Sequence, residues 1–160
     1  MDPVAAVIGV GNRFRHDDGV GPAVIDRLRG MGLENVTLAE SDGEAAALIM
    51  LWDRQRLAIL IDAMQADPSH PGRVHRLVVP KPAVERLRAV GALATDVGDS
   101  AEIARMSGRL PGTLIVFGIE TGDVTAGSGL SPAVDAAAER VAEEIAAEIR
   151  AQRRSLEPAA

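Results

Sequence analysis

The chain has 160 residues, a formal net charge of -6, no cysteine, and only Phe14, Trp52 and Phe117 as aromatics. That length suits one domain with a sizeable core, and without cysteine there is no disulfide framework, thiolate metal site or cysteine nucleophile. The acidic balance argues against nucleic acid, and the scarcity of aromatics argues against a platform for stacking bases or sugars.

In chain order, Val4 to Val10 is a short apolar, β-branched run of the kind buried on both faces of a parallel sheet. Gly9 and Gly11 let the chain turn tightly and bring backbone close to a ligand. After His16, Asp17 and Asp18 comes a helix over Val20 to Arg29, with Val20, Val24 and Leu28 on one face and Gly30 as its stop. The plainer role for either aspartate is to cap that helix. Further strands are expected at Val36 to Leu38, Leu57 to Ile61, Val74 to Val79 and Leu114 to Gly118. Helices are expected at Glu44 to Asp53, with Ser41 or Asp42 as cap, at Ser100 to Met106, and at Pro132 to Gln152, capped by Ser131. Between Pro80 and Gly98 the pattern fits either a short helix at Ala83 to Ala89 or a surface loop. The expected architecture is a single α/β domain over residues 1–154, a mostly parallel five-stranded sheet with helices on both faces, and a disordered tail over 155–160. No signal peptide or membrane span is indicated, which points to a soluble cytoplasmic protein.

In an open α/β sheet, ligands lie beyond the carboxyl ends of the strands, so polar residues there come first. Asp62 ends the run LAILI, Glu40 and Asp42 follow the second strand, and Glu120 and Asp123 follow the last. The glycine turn lacks the third glycine of a dinucleotide fingerprint, where Phe14 stands, and it lacks the lysine of a phosphate loop. Asp17 and Asp18 there would repel phosphate and suit a cation or proton transfer better. A nucleotide-binding enzyme with Glu40 on a ribose is the weakest alternative. Of the histidines, His16 is closest to the double aspartate, and His75 reads as an ordinary strand residue.

Four segments, GVGNRFRHDDGVG, SDGEAAAL, LIDAMQADPSHPGRVHRL and GIETGDVTAGSGLSPAV, together resemble the hydrogenase maturation endopeptidases. These trim the carboxyl-terminal extension from the large-subunit precursor of nickel-iron hydrogenases. The first and third segments, in this order and spacing, are the most specific. The resemblance implies metal-assisted peptide hydrolysis with nickel carried by the substrate and no permanently bound cofactor. It assigns Asp18 and Asp62 as catalytic residues and metal contacts. The third contact falls on Asp96, with Glu102 as the later acid, where the family has a histidine. Asp42, Gly43 and His16 are assigned to substrate binding, and the partner is the precursor, with no nucleic acid and no membrane insertion. Carboxylate is a harder ligand than imidazole, so Asp96 should hold nickel less well, and His16 or His70 could compensate. A non-catalytic module of the same fold that recognises a hydrogenase-related partner is the alternative.

Overall fold

The run AAVIGV forms strand β1 (Ala5–Val10), buried along its whole length. A computed structural model describes residues 3–80 and 108–156. The expected helices at 83–89 and 100–106, together with Asp96 and Glu102, lie outside the described residues. After β1 come a 3-10 turn (His16–Gly19), α1 (Val20–Arg29), β2 (Val36–Ser41), α2 (Ala45–Trp52), β3 (Leu57–Met64), β4 (Val74–Pro80), β5 (Thr113–Glu120) and α3 (Pro132–Leu156). The sheet order is β2-β1-β3-β5-β4. All neighbours pair in parallel except β4 and β5, which are antiparallel. Helix α3 continues to Leu156, two residues into the stretch expected as a tail.

Alternation along the strands divides the core in two. Val7, Ile59, Ile61, Phe117 and Ile119 pack against Val24, Ile25 and Leu28 of α1 and Val134, Val141, Ile145 and Ile149 of α3. On the other face Ile8, Val10, Leu60, Leu114 and Val116 pack against Leu48, Ile49 and Trp52 of α2. Each fully buried aliphatic side chain contributes about 1.5–3 kcal/mol relative to exposure. The same alternation puts Asp62, Gly118 and Glu120 on the α2 face, along with His75, two residues from the inward Leu77.

Gly9 has a different use from the one its motif predicts. A Cβ on Gly9 would collide with the carbonyl oxygen of Gly21, and one on Gly21 would lie 2.5 Å from that of Val10 and 2.6 Å from that of Ile61. The two glycines therefore let α1 lie directly on the ends of β1 and β3. The space is filled by helix backbone, not by a ligand. A Cβ on Gly11 would likewise meet the carbonyl oxygen of Asp18.

Candidate active site

Strand β1 ends at Val10, in register with Asp62 of the parallel strand β3, which runs on to Met64. The 3-10 turn packs against β3, so Asp18 and Asp62 are delivered to the same carboxyl edge of the sheet. Asp18 Oδ2 accepts the Asn12 amide at 2.9 Å, which orients the carboxylate. Among the described residues its Oδ1 accepts no hydrogen bond. Asp62 is half-buried and lies within β3, which continues past the expected end at Ile61 to Met64.

Neither aspartate caps α1, whose N-cap is Gly19 without a side-chain bond. Asp17 is fully buried. One of its oxygens accepts the Ser131 amide at 2.7 Å, and the other accepts the Gly122 amide at 2.9 Å and the Ser131 hydroxyl at 2.8 Å. Asp17 thus clamps the site turn to the 122–131 loop and the start of α3. The Ser131 carbonyl accepts the Asp135 amide, opening α3 as expected of a cap position, while its hydroxyl serves Asp17.

His16 belongs to the same clamp. Its amide donates to the Gly127 carbonyl at 2.8 Å, and its Nδ1 lies 3.0 Å from the Gly129 carbonyl. A Cβ on Gly127 would collide with His16 Nε2, so glycine there lets the imidazole pack. Asp123 accepts the Thr125 hydroxyl and amide at 2.6 and 2.8 Å, and these bonds hold its carboxyl below the ordinary range. Asp42 accepts the Glu44 amide at 3.0 Å, and Ser41 Oγ accepts that of Gly43 at 3.1 Å. These bonds tighten the approach to α2, whose N-cap is Glu44, not Ser41 or Asp42. A Cβ on Gly43 would meet Val10 Cγ1 at 3.2 Å, so Gly43 borders the end of β1.

Glu40 is engaged by guanidinium groups. Arg13 donates to it at 2.8 Å and to both oxygens of Asp26 at 2.6 and 2.8 Å, while Arg29 reaches Glu40 at 3.2 Å. Those pairings take up the group on which a ribose contact would depend. Hydrogen bonds to Asp26 and Glu40 raise Arg13 above its ordinary value, and Arg13 holds both carboxyls below theirs. The side chains are one-third to one-half exposed, so solvent screening keeps the contribution under about 1 kcal/mol. Depressed carboxyls stabilise the fold fully above their ordinary values of 3.8 and 4.5 and lose that contribution as pH falls through the lowered values. Arg13→Ala should therefore cost stability at neutral pH, and the difference between urea melts should shrink below those ordinary values.

The pairing of Glu120 with His75 has no counterpart in the sequence pattern. Glu120 is buried at the end of β5 and accepts His75 Nε2 at 2.7 Å and the His70 amide at 3.0 Å. The bond to His75, followed by that to His70, holds its carboxyl below the ordinary range. Glu120 after a buried strand was the available signal; the antiparallel neighbour that carries His75 was not legible locally. Among the described residues, no three His, Cys, Asp or Glu side chains converge closely enough to cage a metal ion.

No protein-family model and no curated protein sequence matches this chain. Solved structures do. The hydrogenase maturating endopeptidase HybD from Escherichia coli is 22% identical with a TM-score of 0.76, over 94% of this chain and 93% of that one. An endopeptidase from Escherichia coli, solved in solution, is 21% identical with a TM-score of 0.78 over the same shares. The [NiFe] hydrogenase maturation protease HybD from Thermococcus kodakarensis is 25% identical with a TM-score of 0.72, over 93% of this chain and 99% of that one. From its first strand to its last helix, this chain has the fold of the hydrogenase maturation endopeptidases.

Proposed function

We propose that this protein is an endopeptidase that removes the carboxyl-terminal extension of a nickel-iron hydrogenase large-subunit precursor. The observation that carries this reading is the convergence of Asp18 and Asp62 at the carboxyl edge of β1 and β3, in a fold shared with maturation endopeptidases. Nickel enters as part of the substrate and would polarise the scissile carbonyl or the attacking water, while a carboxylate accepts the proton that water loses and returns it to the amine nitrogen as the C–N bond breaks. The orientation of Asp18 by the Asn12 amide supports it in one of these roles. Asp96 is the proposed third contact, and His16, Asp42 and Gly43 are the proposed substrate contacts. The cytoplasm is the proposed compartment, and among the described residues no helix is long and apolar enough to cross a membrane.

Incubation with a nickel-loaded precursor, followed by intact-mass measurement, should reveal loss of a carboxyl-terminal peptide. A nickel-free precursor should remain whole. Asp18→Ala and Asp62→Ala should fold and yet cleave at least about 100-fold more slowly, the usual scale for loss of a proton-transfer group. Undiminished cleavage by both variants would sink the assignment. Complex formation without shortening would favour the non-catalytic module, whose motivation is the carboxylate at position 96. Asp96→His then tests whether an imidazole there raises affinity for the ion.

A further inference from the structure

Of the three aromatic residues, Trp52 and Phe117 are buried in the two halves of the core, whereas Phe14 is 71% exposed. The loop that carries it is fixed all the same. The Phe14 amide donates to Asn12 Oδ1 at 2.9 Å, and its carbonyl accepts the Gly127 amide at 2.9 Å. On one side Arg13 is tied to Asp26 and Glu40. On the other, Arg15 bridges to Gly127 and donates from Nε to the Val124 carbonyl at 3.2 Å. The backbone is thus ordered by bonds that do not involve the phenyl ring, and the ring itself is left in water.

The second observation is that the turn fixes Phe14 relative to Asp18. Asn12 joins the two: its amide donates to Asp18 Oδ2, and its Oδ1 accepts the Phe14 amide. Two hydrogen bonds and one asparagine separate the carboxylate from the Phe14 amide by about 10 Å at most. A standard protein interface covers about 800 Å² on each partner, a patch roughly 30 Å across. A folded protein that brings its chain to Asp18 therefore covers Phe14 as well. Beside the ring, Arg15 differs from Arg13 in making no ion pair among the described residues, so a cationic group borders the aromatic one.

We infer that Phe14 is the apolar anchor by which the protein holds its substrate, its ring entering an apolar pocket on the folded body of the precursor whose acidic border meets Arg15. The inference rests on the reading of the protein as a precursor endopeptidase and names the chemistry of the surface it grips. Aromatic side chains are enriched at the dehydrated centre of protein interfaces, and one held in place beforehand loses little freedom on binding. Leu156, exposed in the last turn of α3, is the ordinary case of a scattered apolar side chain and serves as the control.

The test measures association and cleavage separately, with a nickel-loaded hydrogenase large-subunit precursor from the same organism as the probe. Phe14→Ala, Phe14→Leu, Arg15→Gln and Leu156→Ala are compared with the parent by surface plasmon resonance, and each is checked by its thermal melt. Phe14→Ala should melt with the parent yet bind about 10–100-fold more weakly, the scale for burying one large apolar side chain. Phe14→Leu should recover most of the affinity, and Leu156→Ala should match the parent. In cleavage, Phe14→Ala should raise KM and leave kcat unchanged, as a contact kept equally in the bound and transition states requires. Arg15→Gln should slow association and flatten its salt dependence. Parent-like affinity in Phe14→Ala overturns the inference, and if cleavage persists the peptidase reading still stands. A fall in kcat at unchanged KM also overturns it, since the ring would then only support the Asp18 turn. A dimer of the parent that Phe14→Ala dissolves would assign the ring to a second copy of this chain and overturn it too. An unchanged salt dependence in Arg15→Gln overturns the acidic border alone. Binding that depends on Phe14 without any shortening of the precursor counts against the peptidase reading alone, and a parent that forms no complex overturns both.

Discussion

Replacing Asp17 by alanine should lower the unfolding free energy by roughly 3 kcal/mol or more. The substitution leaves the Gly122 amide, the Ser131 amide and the Ser131 hydroxyl without their acceptor in a fully buried position. An unsatisfied buried polar group costs about 1–3 kcal/mol, so three exceed the loss expected from one ordinary hydrogen bond. Asp17→Asn should fall between parent and alanine, because one oxygen survives while the new amide group faces a donor. Urea denaturation of the parent, Asp17→Asn, Asp17→Ala and Ser131→Ala checks the order. A loss below about 1 kcal/mol in Asp17→Ala would mean that water or a rearranged loop replaces the clamp. Precursor cleavage should fall as well, because the turn that Asp17 secures also carries Asp18.

The second large effect is expected at Gly21, where helix propensity and packing predict opposite signs. Alanine is favoured over glycine within a helix by about 1 kcal/mol, so propensity alone would make Gly21→Ala stabilising. Packing dictates otherwise: the added Cβ would meet the Val10 and Ile61 carbonyl oxygens and the Val10 nitrogen at 2.5 to 2.7 Å, all backbone atoms that cannot swing aside. Helix α1 would have to lift from the sheet, loosening Val24, Ile25 and Leu28 from their core. Overpacking of a tight core costs about 1–3 kcal/mol and sometimes more, so Gly21→Ala should be clearly destabilising and Gly21→Val more so. Thermal melts of the two variants settle the sign, and a stabilised Gly21→Ala would refute the close helix-on-strand contact.

Periodicity was enough to locate the described strands and helices, because burial on one or both faces leaves a local imprint. Val20 to Arg29 is helical over the residues expected, and LAILI is buried with Asp62 following it. Direction was less accessible: nothing within VHRLVVP distinguishes a strand running against its neighbour from one running with it. Roles within the glycine turn were also hidden. Asp17 and Asp18 are adjacent and chemically alike, and only the distant Gly122 and Ser131 make one of them a buried clamp. Gly9 read as room for a ligand because its true occupant, Gly21, is brought there by the fold of the turn between them. The Glu120–His75 pair spans 45 residues and depends on strand adjacency, which no local pattern encodes.

Helix α3 also determines how the protein can be handled. It starts against Asp17 beside the site and runs 25 residues, about 37 Å at 1.5 Å per residue. Near its far end Arg153 pairs with Glu34 at 2.7 Å, in the connection between α1 and β2 at the opposite edge of the sheet. A fluorophore or surface tether attached near Arg153 in the last turns of α3 would therefore leave the molecule on the side away from Asp18 and Asp62. Immobilised in that orientation, the protein presents its carboxyl edge to solution, where a large folded precursor can approach without meeting the support.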